Sequence, residues 1–528
     1  MGVCDSNNKK LVKSKQFFGV CKTITEDNFG NEASNNQIKL EFTIENCSPN
    51  NKYQVMAEFL NSNIDPFYTE TVKSHQSILT FNTCYICEFL FQNPQLMRIS
   101  LFKNGKNIGS FTPYLGNIVG SPNSIFETSI SPDKKEILKI SAQGISNCND
   151  LVMCNFIIKT NNNVDFNNIN NKISFMITCN ERKIYSSESI SKYGQFKTTS
   201  IPKALLEPQF EVIFLNCAQQ KIVSKLENIS NFTGQNNNNL YLNININNND
   251  YYIFNKSQLL KQYSFIDYIK NGVQLALSIG IDFTSSNGQI NDPYSLHRII
   301  PGSYNDYEQA IISCGLIVAF YDYDQLFPVY GFGAIINNVP KPNMCFNINF
   351  QENPEIYTID NVIEEYRKCL KKIIFAGPTE FCPMIRKEIE IIKKENNPLI
   401  YHVLMILTDG VIVDQQDTKD AIIEASFLPF SLIIIGIGND HFQEMKELDG
   451  DNIPLISSNG IKRLRDVVQF VQFNKFRHNQ DELAKHVLAE IPKQIIEYYT
   501  MNKIYPNNLS GLKLRTRTMM ENNNILNY

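Results

Sequence analysis

The spacing of hydrophobic residues changes once along the chain, near residue 255, and this change constrains the fold more than any other feature. Before it, short segments such as IKLEFTI (38–44) alternate in polarity and are separated by Asn, Pro, Gly and Ser turns, which predicts antiparallel β-sandwiches. After it, apolar runs such as YHVLMILTDG (401–410) alternate with helical patterns such as DNVIEEYRKCLKKII (360–374). That alternation predicts a doubly wound, mostly parallel α/β sheet.

These patterns divide the 528 residues into a multidomain chain of five segments. The boundary between the two sandwiches falls near SNCND (146–150). The predicted segments are a basic tail at 1–20, one β-sandwich at 21–146, a second at 147–254, the α/β domain at 255–503 and a loose tail at 504–528. The spacing of apolar residues in 481–500 predicts a single amphipathic helix that returns to the α/β domain.

The composition bears on the compartment and on the class of partner. A net charge of −4 and a pI near 6 argue against a nucleic-acid partner. Thirteen cysteines without regular spacing, and no secretory signal, predict a reducing, cytoplasmic environment. We interpret Cys84 and Cys87, the one CxxC pair, as strand residues, because no second ligand pair follows at zinc spacing. No apolar run is long enough to span a bilayer, so any membrane attachment is expected to be peripheral.

The N-terminus, MGVCDSNNKKLVKSK, carries a candidate lipidation signal. Gly2 followed by Ser6 fits the pattern for N-myristoylation, and Cys4 could accept a palmitoyl chain. One myristoyl chain binds a bilayer with a constant of only about 10⁴ per molar, so stable anchoring needs a second signal. That signal could be Cys4, or the attraction to anionic phospholipid of four lysines: Lys9, Lys10, Lys13 and Lys15. The alternative is a disordered tail with a chance match.

Oxygen-bearing side chains follow the ends of the predicted α/β strands. Asp282, Thr284 and Ser286 follow one strand, Asp409 follows another, and Thr379 lies in a loop before a helix. Ligands of doubly wound sheets bind beyond the carboxyl ends of the strands. Two carboxylates and three hydroxyls suit a small hard cation such as Mg²⁺, which they would leave electrophilic towards an acidic group of a partner.

The same residues resemble the metal-ion-dependent adhesion site of von Willebrand factor A domains, a DxSxS motif followed by a distant Thr and a distant Asp. More narrowly, seven stretches in order are similar to the A domain of the copines, which are membrane-associated cytosolic proteins with two C2 sandwiches before that domain. The stretches are YSFIDYIKNGVQLALSIGIDFTSSNG (263–288), DPYSLHRI (292–299), YDYDQLFPVYGFGA (321–334), GPTEFCPMI (377–385), LTDGVIVD (407–414), SFLPFSLIIIGIG (426–438) and RDVVQFVQF (465–473).

The resemblance implies a shell for Mg²⁺ or Mn²⁺ made of five residues: Asp282, Thr284, Ser286, Thr379 and Asp409. Thr284 stands where the wider A-domain family has Ser, and both offer a hydroxyl. The alternative is that the two aspartates only cap strand ends. His297, His402 and His441 lack metal-ligand spacing and are interpreted as packing or surface residues.

The two sandwiches are C2-like by this resemblance, but their loops depart from the Ca²⁺-binding pattern. Ca²⁺ needs six to eight oxygens with enough negative charge among them. The first-domain loops at 45–52 and 103–107 contain no Asp, and the second-domain loops at 161–171 and 216–225 contain Asp165 alone. We therefore expect both sandwiches to have lost Ca²⁺-triggered membrane binding.

Together these observations predict a non-enzymatic adaptor held on the cytosolic face of a membrane, with the plasma membrane as one candidate. Its A domain would bind partner proteins through the metal, and the copine resemblance implies roles in membrane trafficking or signalling. One alternative is a phosphoryl-transfer enzyme that uses the same metal, although no GxxxxGK[ST] loop or HRD-like loop occurs. Another is a soluble A-domain scaffold with inert sandwiches.

Overall fold

The structure, a computed structural model, describes residues 36–512 apart from 61–63, 131–134, 145–149, 161–172, 191–193, 217, 235–239, 247–248, 338, 451–454, 478 and 510–511. The predicted lipidation and membrane-binding residues lie outside this part, namely Gly2, Cys4, Lys9, Lys10, Lys13 and Lys15. The described residues belong to one compact unit that begins at Asn36. Their sheets confirm the predicted fold class of two antiparallel β-sandwiches followed by a mostly parallel α/β sheet.

The first β-sandwich is formed by β1 (Asn36–Glu45), β2 (Lys52–Phe59), β3 (Phe67–Tyr68), β4 (Val72–Lys73), β5 (Ile78–Thr80), β6 (Tyr85–Phe89), β7 (Met97–Lys103), β8 (Lys106–Phe111), β9 (Ile125–Ser129) and β10 (Ile137–Gly144), with helix α1 (Leu115–Gly120) before β9. One sheet has the order β5-β1-β10-β9 with β6 also on β1, and the other has the order β3-β2-β7-β8 with β4 also on β2. Alternate residues of β1, Ile38, Leu40 and Phe42, are buried, as expected for a sheet with one face on the core.

The second β-sandwich is formed by β11 (Leu151–Cys154), β12 (Phe156–Thr160), β13 (Ser174–Cys179), β14 (Arg182–Ser186), β15 (Gly194–Gln195), β16 (Thr199–Pro202), β17 (Phe210–Leu215), β18 (Lys221–Glu227), β19 (Leu240–Ile246), β20 (Asn249–Asn255) and β21 (Gln258–Leu260), with helix α2 (Ile229–Thr233). The strand orders are β16-β11-β21, β15-β12-β20-β19 and β14-β13-β17-β18. Strand β21 lies beyond the predicted boundary at residue 254 and pairs with β11, so this sandwich extends to Leu260.

The α/β domain contains strands β22 (Gln274–Asp282), β23 (Leu326–Phe332), β24 (Ala334–Ile335), β25 (Phe346–Asn347), β26 (Glu355–Tyr357), β27 (Ile374–Phe375), β28 (Ile400–Thr408), β29 (Phe430–Gly436) and β30 (Val468–Gln472). Its helices are α3 (Phe265–Lys270), α4 (Asp306–Ala319), α5 (Ile359–Cys369), α6 (Cys382–Glu395), α7 (Gln415–Ala425), α8 (Gln443–Asp449), α9 (Gln480–Val487), α10 (Ile491–Met501) and α11 (Pro506–Leu509). The main sheet has the order β25-β23-β22-β28-β29-β30.

Helices cover both faces of this sheet, so its central strands are apolar at almost every position. On one face, Leu277 of β22 and Met405 of β28 pack with helices α4 and α5 in the cluster that also contains the first sandwich. On the other face, Leu404 and Ile406 of β28 pack with α6 and α7. Burial on both sides explains why β22 and β28 appear in the sequence as continuous hydrophobic runs.

The chain reverses its direction of travel across the sheet between β22 and β28. From β22 it crosses to β23 on one side, and later returns to β28 on the other side, with all three strands parallel. The carboxyl ends of β22 and β28 therefore flank a topological switch point, where doubly wound sheets open a crevice. Asp282 ends β22 and Asp409 directly follows β28.

The C-terminal segment differs from the single helix predicted over 481–500. It forms two helices: α9 ends before Leu488, and α10 begins at Ile491. Pro492 occupies the first turn of α10, where a residue without an N–H is tolerated, whereas in the interior of one long helix it would break a hydrogen bond. Both helices pack on the α/β core through Leu483, Val487 and Ile495.

Candidate metal centre

A line of closely spaced oxygen atoms joins the ends of β22 and β28, with a hydrogen bond to a carboxylate at each end. Thr284 donates from its hydroxyl to Oδ1 of Asp282 at 2.6 Å, and its Oγ1 lies 2.9 Å from Oγ of Ser286. Ser286 in turn donates to Oδ1 of Asp409 at 2.9 Å. Four of the five predicted metal ligands thus lie in one cluster. Asp282 is completely buried, whereas Ser286 is exposed, so the cluster has a closed end and an open end.

The buried carboxylate of Asp282 is held from two more directions. Thr408, the last residue of β28, donates its hydroxyl to Oδ2 of Asp282 at 2.6 Å. The backbone carbonyl of Asp282 accepts a hydrogen bond from Nε2 of His297 at 2.8 Å, and Nδ1 of that ring accepts from the hydroxyl of Tyr366 at 2.7 Å. Burial lowers the pKa of His297 to about 3, so the ring is neutral and its function here is positioning.

Asn287 supports Asp409 from the side. Its amide donates to Oδ1 of Asp409 at 3.0 Å, while its own Oδ1 accepts from the hydroxyl of Tyr307 at 2.6 Å. Tyr307 lies in α4 and is fully buried, so it fixes the amide from the helix layer. A fixed amide leaves Asp409 few alternative orientations, which favours binding of a ligand at this position.

The loop that carries Thr379 lies beside the cluster. Ala376 pairs with Thr284, and the amide of Ser285 donates to the carbonyl of Ala376 at 2.8 Å. The carbonyl of Thr379 accepts from the amide of Val413 at 3.0 Å, and the Thr379 side chain is buried. The structure thus brings the Thr379 loop to the same edge as the other four residues, and the role of its hydroxyl in coordination stays a prediction.

The electrostatics of the cluster favour a cation. Burial raises the pKa of Asp282 above its ordinary value. Burial, and then the nearby charge of Asp282, raise the pKa of Asp409 to about 7. No basic side chain in the described part of the chain forms an ion pair with either carboxylate. A buried and a half-buried carboxyl group without a counter-ion are costly, and a divalent cation would remove that cost, so the residues present fit Mg²⁺ or Mn²⁺.

This donor set differs from sites built from several charged or imidazole ligands. Among the described residues, no three His, Cys, Asp or Glu side chains lie close enough to hold a metal ion together. The cluster offers two carboxylates and, from Thr284, Ser286 and Thr379, only neutral hydroxyls. Octahedral coordination would therefore be completed by water or by a carboxylate of another molecule.

Three residues of the site were not found by sequence reasoning: Thr408, Asn287 and His297. Thr408 directly precedes Asp409, and Asn287 directly follows Ser286. Their position next to predicted metal ligands was the one sign in the sequence that they belong to the site. His297 was interpreted as a packing or surface residue; it is buried and bonded to the Asp282 backbone. His402 is buried too, with Nδ1 2.8 Å from Oε1 of Glu388, whereas His441 is exposed.

One end of the first sandwich holds an internal cation. The ammonium of Lys103 donates to Oε1 of the buried Glu136 at 2.8 Å and to Oγ of Ser48 at 3.2 Å. The hydroxyl of Tyr53 donates to the same Glu136 oxygen at 3.2 Å. Ser48 and Lys103 belong to the two Asp-free loops singled out in the sequence, so an ammonium group ties those loops together. In the second sandwich, Asp165 lies outside the described residues.

The C-terminal region matches a known family. Residues 295–507, about two-fifths of the chain, match the family model described as Copine, which confirms the predicted resemblance over that range. The matched range contains Thr379 and Asp409, while Asp282, Thr284 and Ser286 precede it. No helix among the described residues combines the length and hydrophobicity that crossing a membrane requires.

Solved structures similar to parts of the chain fall into two groups. The calcium-bound pair of C2 domains of Extended-Synaptotagmin 2 shares 10% identity, covering 43% of this chain and 98% of that one, with a TM-score of 0.18. Manganese-loaded TRAP protein of Plasmodium vivax shares 14% identity, covering 43% and 74%, with a TM-score of 0.27. Proximal thread matrix protein 1 of the mussel byssus, with a zinc-occupied MIDAS motif, shares 15%, covering 43% and 48%, with a TM-score of 0.25.

Proposed function

We propose that this chain, whose residues 295–507 match the copine family, is a peripheral membrane adaptor that captures partner proteins through a divalent cation in its α/β domain. The observation that carries the proposal is the pair of carboxylates, Asp282 and Asp409, joined through two hydroxyls at the switch point of the sheet. Neither has a basic partner among the described residues. A cation bound there is reached from the open side, at Ser286 and Asp409.

Protein binding is the proposed use of this cation. With two carboxylates and neutral hydroxyls as ligands, Mg²⁺ or Mn²⁺ keeps a net attraction for an acidic side chain. A partner Asp or Glu would complete the coordination sphere. The partner is then held by a charge-assisted contact at the edge of a rigid sheet, and its release follows removal of the cation.

Membrane attachment is proposed to be constitutive. It would come from a myristoyl chain on Gly2, helped by a palmitoyl chain on Cys4 or by the nearby lysines. The internal Lys103–Glu136 pair supports this view, since it neutralises the end of the first sandwich without any metal. Attachment through the tail would leave the α/β domain at the cytosolic surface, which suits a role in trafficking or signalling.

The test of attachment compares membrane fractionation of the wild-type chain and Gly2→Ala, each with and without Ca²⁺. The proposal expects wild type to sediment with membranes in both conditions and Gly2→Ala to become soluble. If Gly2→Ala still sediments, and only with Ca²⁺, both the lipid anchor and the loss of the Ca²⁺ response are wrong. A Ser6→Ala variant is an internal check, because it disrupts the same acylation pattern while retaining Gly2.

We assign no catalytic role to the metal centre. The adaptor proposal expects the purified chain to hydrolyse no nucleotide with Mg²⁺. Turnover that disappears in Asp282→Ala would contradict it and favour the phosphoryl-transfer alternative.

A further inference from the structure

A two-stranded ribbon lies next to the candidate metal centre and exposes apolar side chains. Strands β24 and β27 pair with Ala334 opposite Phe375 and Ile335 opposite Ile374. Ala334 and Phe375 are buried, but the side chain of Ile374 is 56% exposed. In the turn that follows β24, Val339 is 52% exposed. Apolar side chains that are exposed to solvent on a short ribbon are candidates for contact with another molecule.

Three exposed lysines flank this ribbon: Lys341, Lys371 and Lys372. The amides of Lys371 and Lys372 bond back to the carbonyls of Lys368 and Cys369, so both lysines leave the end of α5 directly before β27. Lys341 lies on the segment that returns to pair with Ala334 through Asn343.

These lysines are not neutralised within the described part of the chain. No ion pair is formed by any of the three, and the ammonium of Lys372 stands 5.1 Å from the centre of the Phe350 ring. Lys368, one turn earlier in α5, provides the contrast, because its ammonium is 2.8 Å from Glu365. Among the described residues, the ribbon therefore presents positive charges that form no ion pair, together with exposed aliphatic groups.

The ribbon is fixed to the metal centre through the backbone. Ala376, directly after β27, pairs with Thr284 of the candidate metal centre. On the β24 side, Gly333 packs so tightly that a Cβ there would lie 2.2 Å from the methyl group of Thr284. Glu380, four residues after Ala376, interacts electrostatically with Asp414, Asp417 and Lys341.

We propose that the ribbon is the docking surface for an acidic, aliphatic segment of a partner protein. The inference rests on the proposed function, since one carboxylate of the segment would bind the cation held by Asp282 and Asp409. Following aliphatic residues would pack on Ile374 and Val339, and further carboxylates would pair with Lys341, Lys371 and Lys372. A polypeptide, rather than an anionic lipid surface, fits because the positive apolar ribbon is continuous with a site that takes a single carboxylate.

The experiment measures binding of a fluorescein-labelled peptide of alternating Glu and Leu to the full chain in Mg²⁺, by fluorescence anisotropy. A peptide of alternating Gln and Leu controls for apolar binding. The test variant is K341E/K371E/K372E, and the matched control is K394E/K475E/K493E, which changes the net charge equally at exposed positions elsewhere. The expected result is that the test variant weakens binding about tenfold or more and the control variant binds like wild type. Ile374→Ser with Val339→Ser should also weaken binding.

The outcomes separate this inference from the proposed function. Binding that needs Mg²⁺ and Asp409, but survives K341E/K371E/K372E, overturns the ribbon and leaves the metal function intact. Binding that is lost in K341E/K371E/K372E, but is unchanged in Asp409→Asn, supports the ribbon and contradicts the metal function. Absence of peptide binding by wild type overturns the inference, as does lysine-dependent binding of phosphatidylserine vesicles in place of the peptide. Equal thermal stability of all variants confirms that the losses are local.

Discussion

Oγ of Ser286 donates a hydrogen bond of 2.9 Å to Oδ1 of Asp409, and the two residues are 123 positions apart in the chain. This bond connects the loop after β22 with the loop after β28 across the switch point of the sheet. It makes the two loops one site, in which a change at either residue affects the other. The first predictions below concern this site.

Asp409→Asn should abolish the stabilisation of the chain by Mg²⁺ or Mn²⁺. The substitution keeps the size of the side chain but removes one of the two charges that a hard cation needs, and we expect at least a tenfold loss in metal affinity. The measurement is calorimetric titration of Mg²⁺, together with the melting temperature at rising metal concentration. Asp360→Asn, at an exposed position of α5, is the matched control and should bind Mg²⁺ like wild type. Unchanged affinity in Asp409→Asn would show that the cation binds elsewhere.

The metal-free chain should lose stability as the pH rises from about 4 to about 7 and then level off. The pKa of Asp409 is raised from 3.8 to about 7 in the fold, so in this range the folded state keeps a proton that the unfolded chain has already released. Stability therefore falls across this range, and above about pH 7 the carboxylate is ionised beside Asp282 with the full penalty in place. Added Mg²⁺ removes the penalty, so the metal should raise the melting temperature more at about pH 8 than at about pH 6.

The control for this pH effect is Asp409→Asn, which cannot ionise. Its metal-free melting temperature should change less between the two pH values than that of wild type. An equal change in both proteins would assign the pH dependence to other groups.

His297→Phe should destabilise the chain by about 2 kcal/mol or more. The replacement removes the donor to the Asp282 carbonyl and the acceptor for the Tyr366 hydroxyl, and leaves two buried polar groups unpaired. Chemical denaturation measures the free energy of unfolding. The exposed His441→Phe should change it by no more than about 0.5 kcal/mol. Because His297 stays neutral in the fold, whereas the ring ordinarily gains a proton below about pH 6.5 in an unfolded chain, the wild type is less stable at pH 6 than at pH 8, and the loss on substitution should be larger at pH 8.

Lys103→Met should destabilise the first sandwich by about 1–3 kcal/mol, because it leaves the Glu136 carboxylate buried without its ammonium partner. Thermal unfolding is the measurement, and Lys106→Met, which removes an exposed lysine from the start of β8, should have little effect. A similar loss in both variants would mean that the pair contributes nothing specific.

Micromolar Ca²⁺ should give no binding heat with the Asp409→Asn chain. The substitution removes the metal site of the α/β domain, so any remaining binding heat would come from the sandwiches. The loops at 45–52 and 103–107 contain no Asp, and Lys103 already supplies positive charge between them. Ca²⁺-dependent binding of this variant to anionic vesicles would show that a sandwich retains a Ca²⁺ site.

The sequence by itself determined the order of the domains and the edge of the sheet at which the candidate metal centre lies. The period of hydrophobic residues is a property of neighbours along the chain, so it separates sandwiches from a doubly wound sheet before any contact is known. The end of β22 at Asp282 and of β28 before Asp409 follows from the same local pattern. The Copine match at 295–507 confirms the resemblance to which the motifs pointed over that range.

Only the tertiary structure decided which side chains complete the site. His297 reaches the Asp282 carbonyl, Tyr307 fixes Asn287, and Thr408 bonds Asp282 across 126 residues, and no local period encodes these contacts. Lys103 and Glu136 likewise meet only when two strands of the first sandwich are brought together. Hydrophobic patterns specify which face of an element is buried, but the partner of a buried polar group depends on which elements pack against it, and that is settled only when the whole chain has folded.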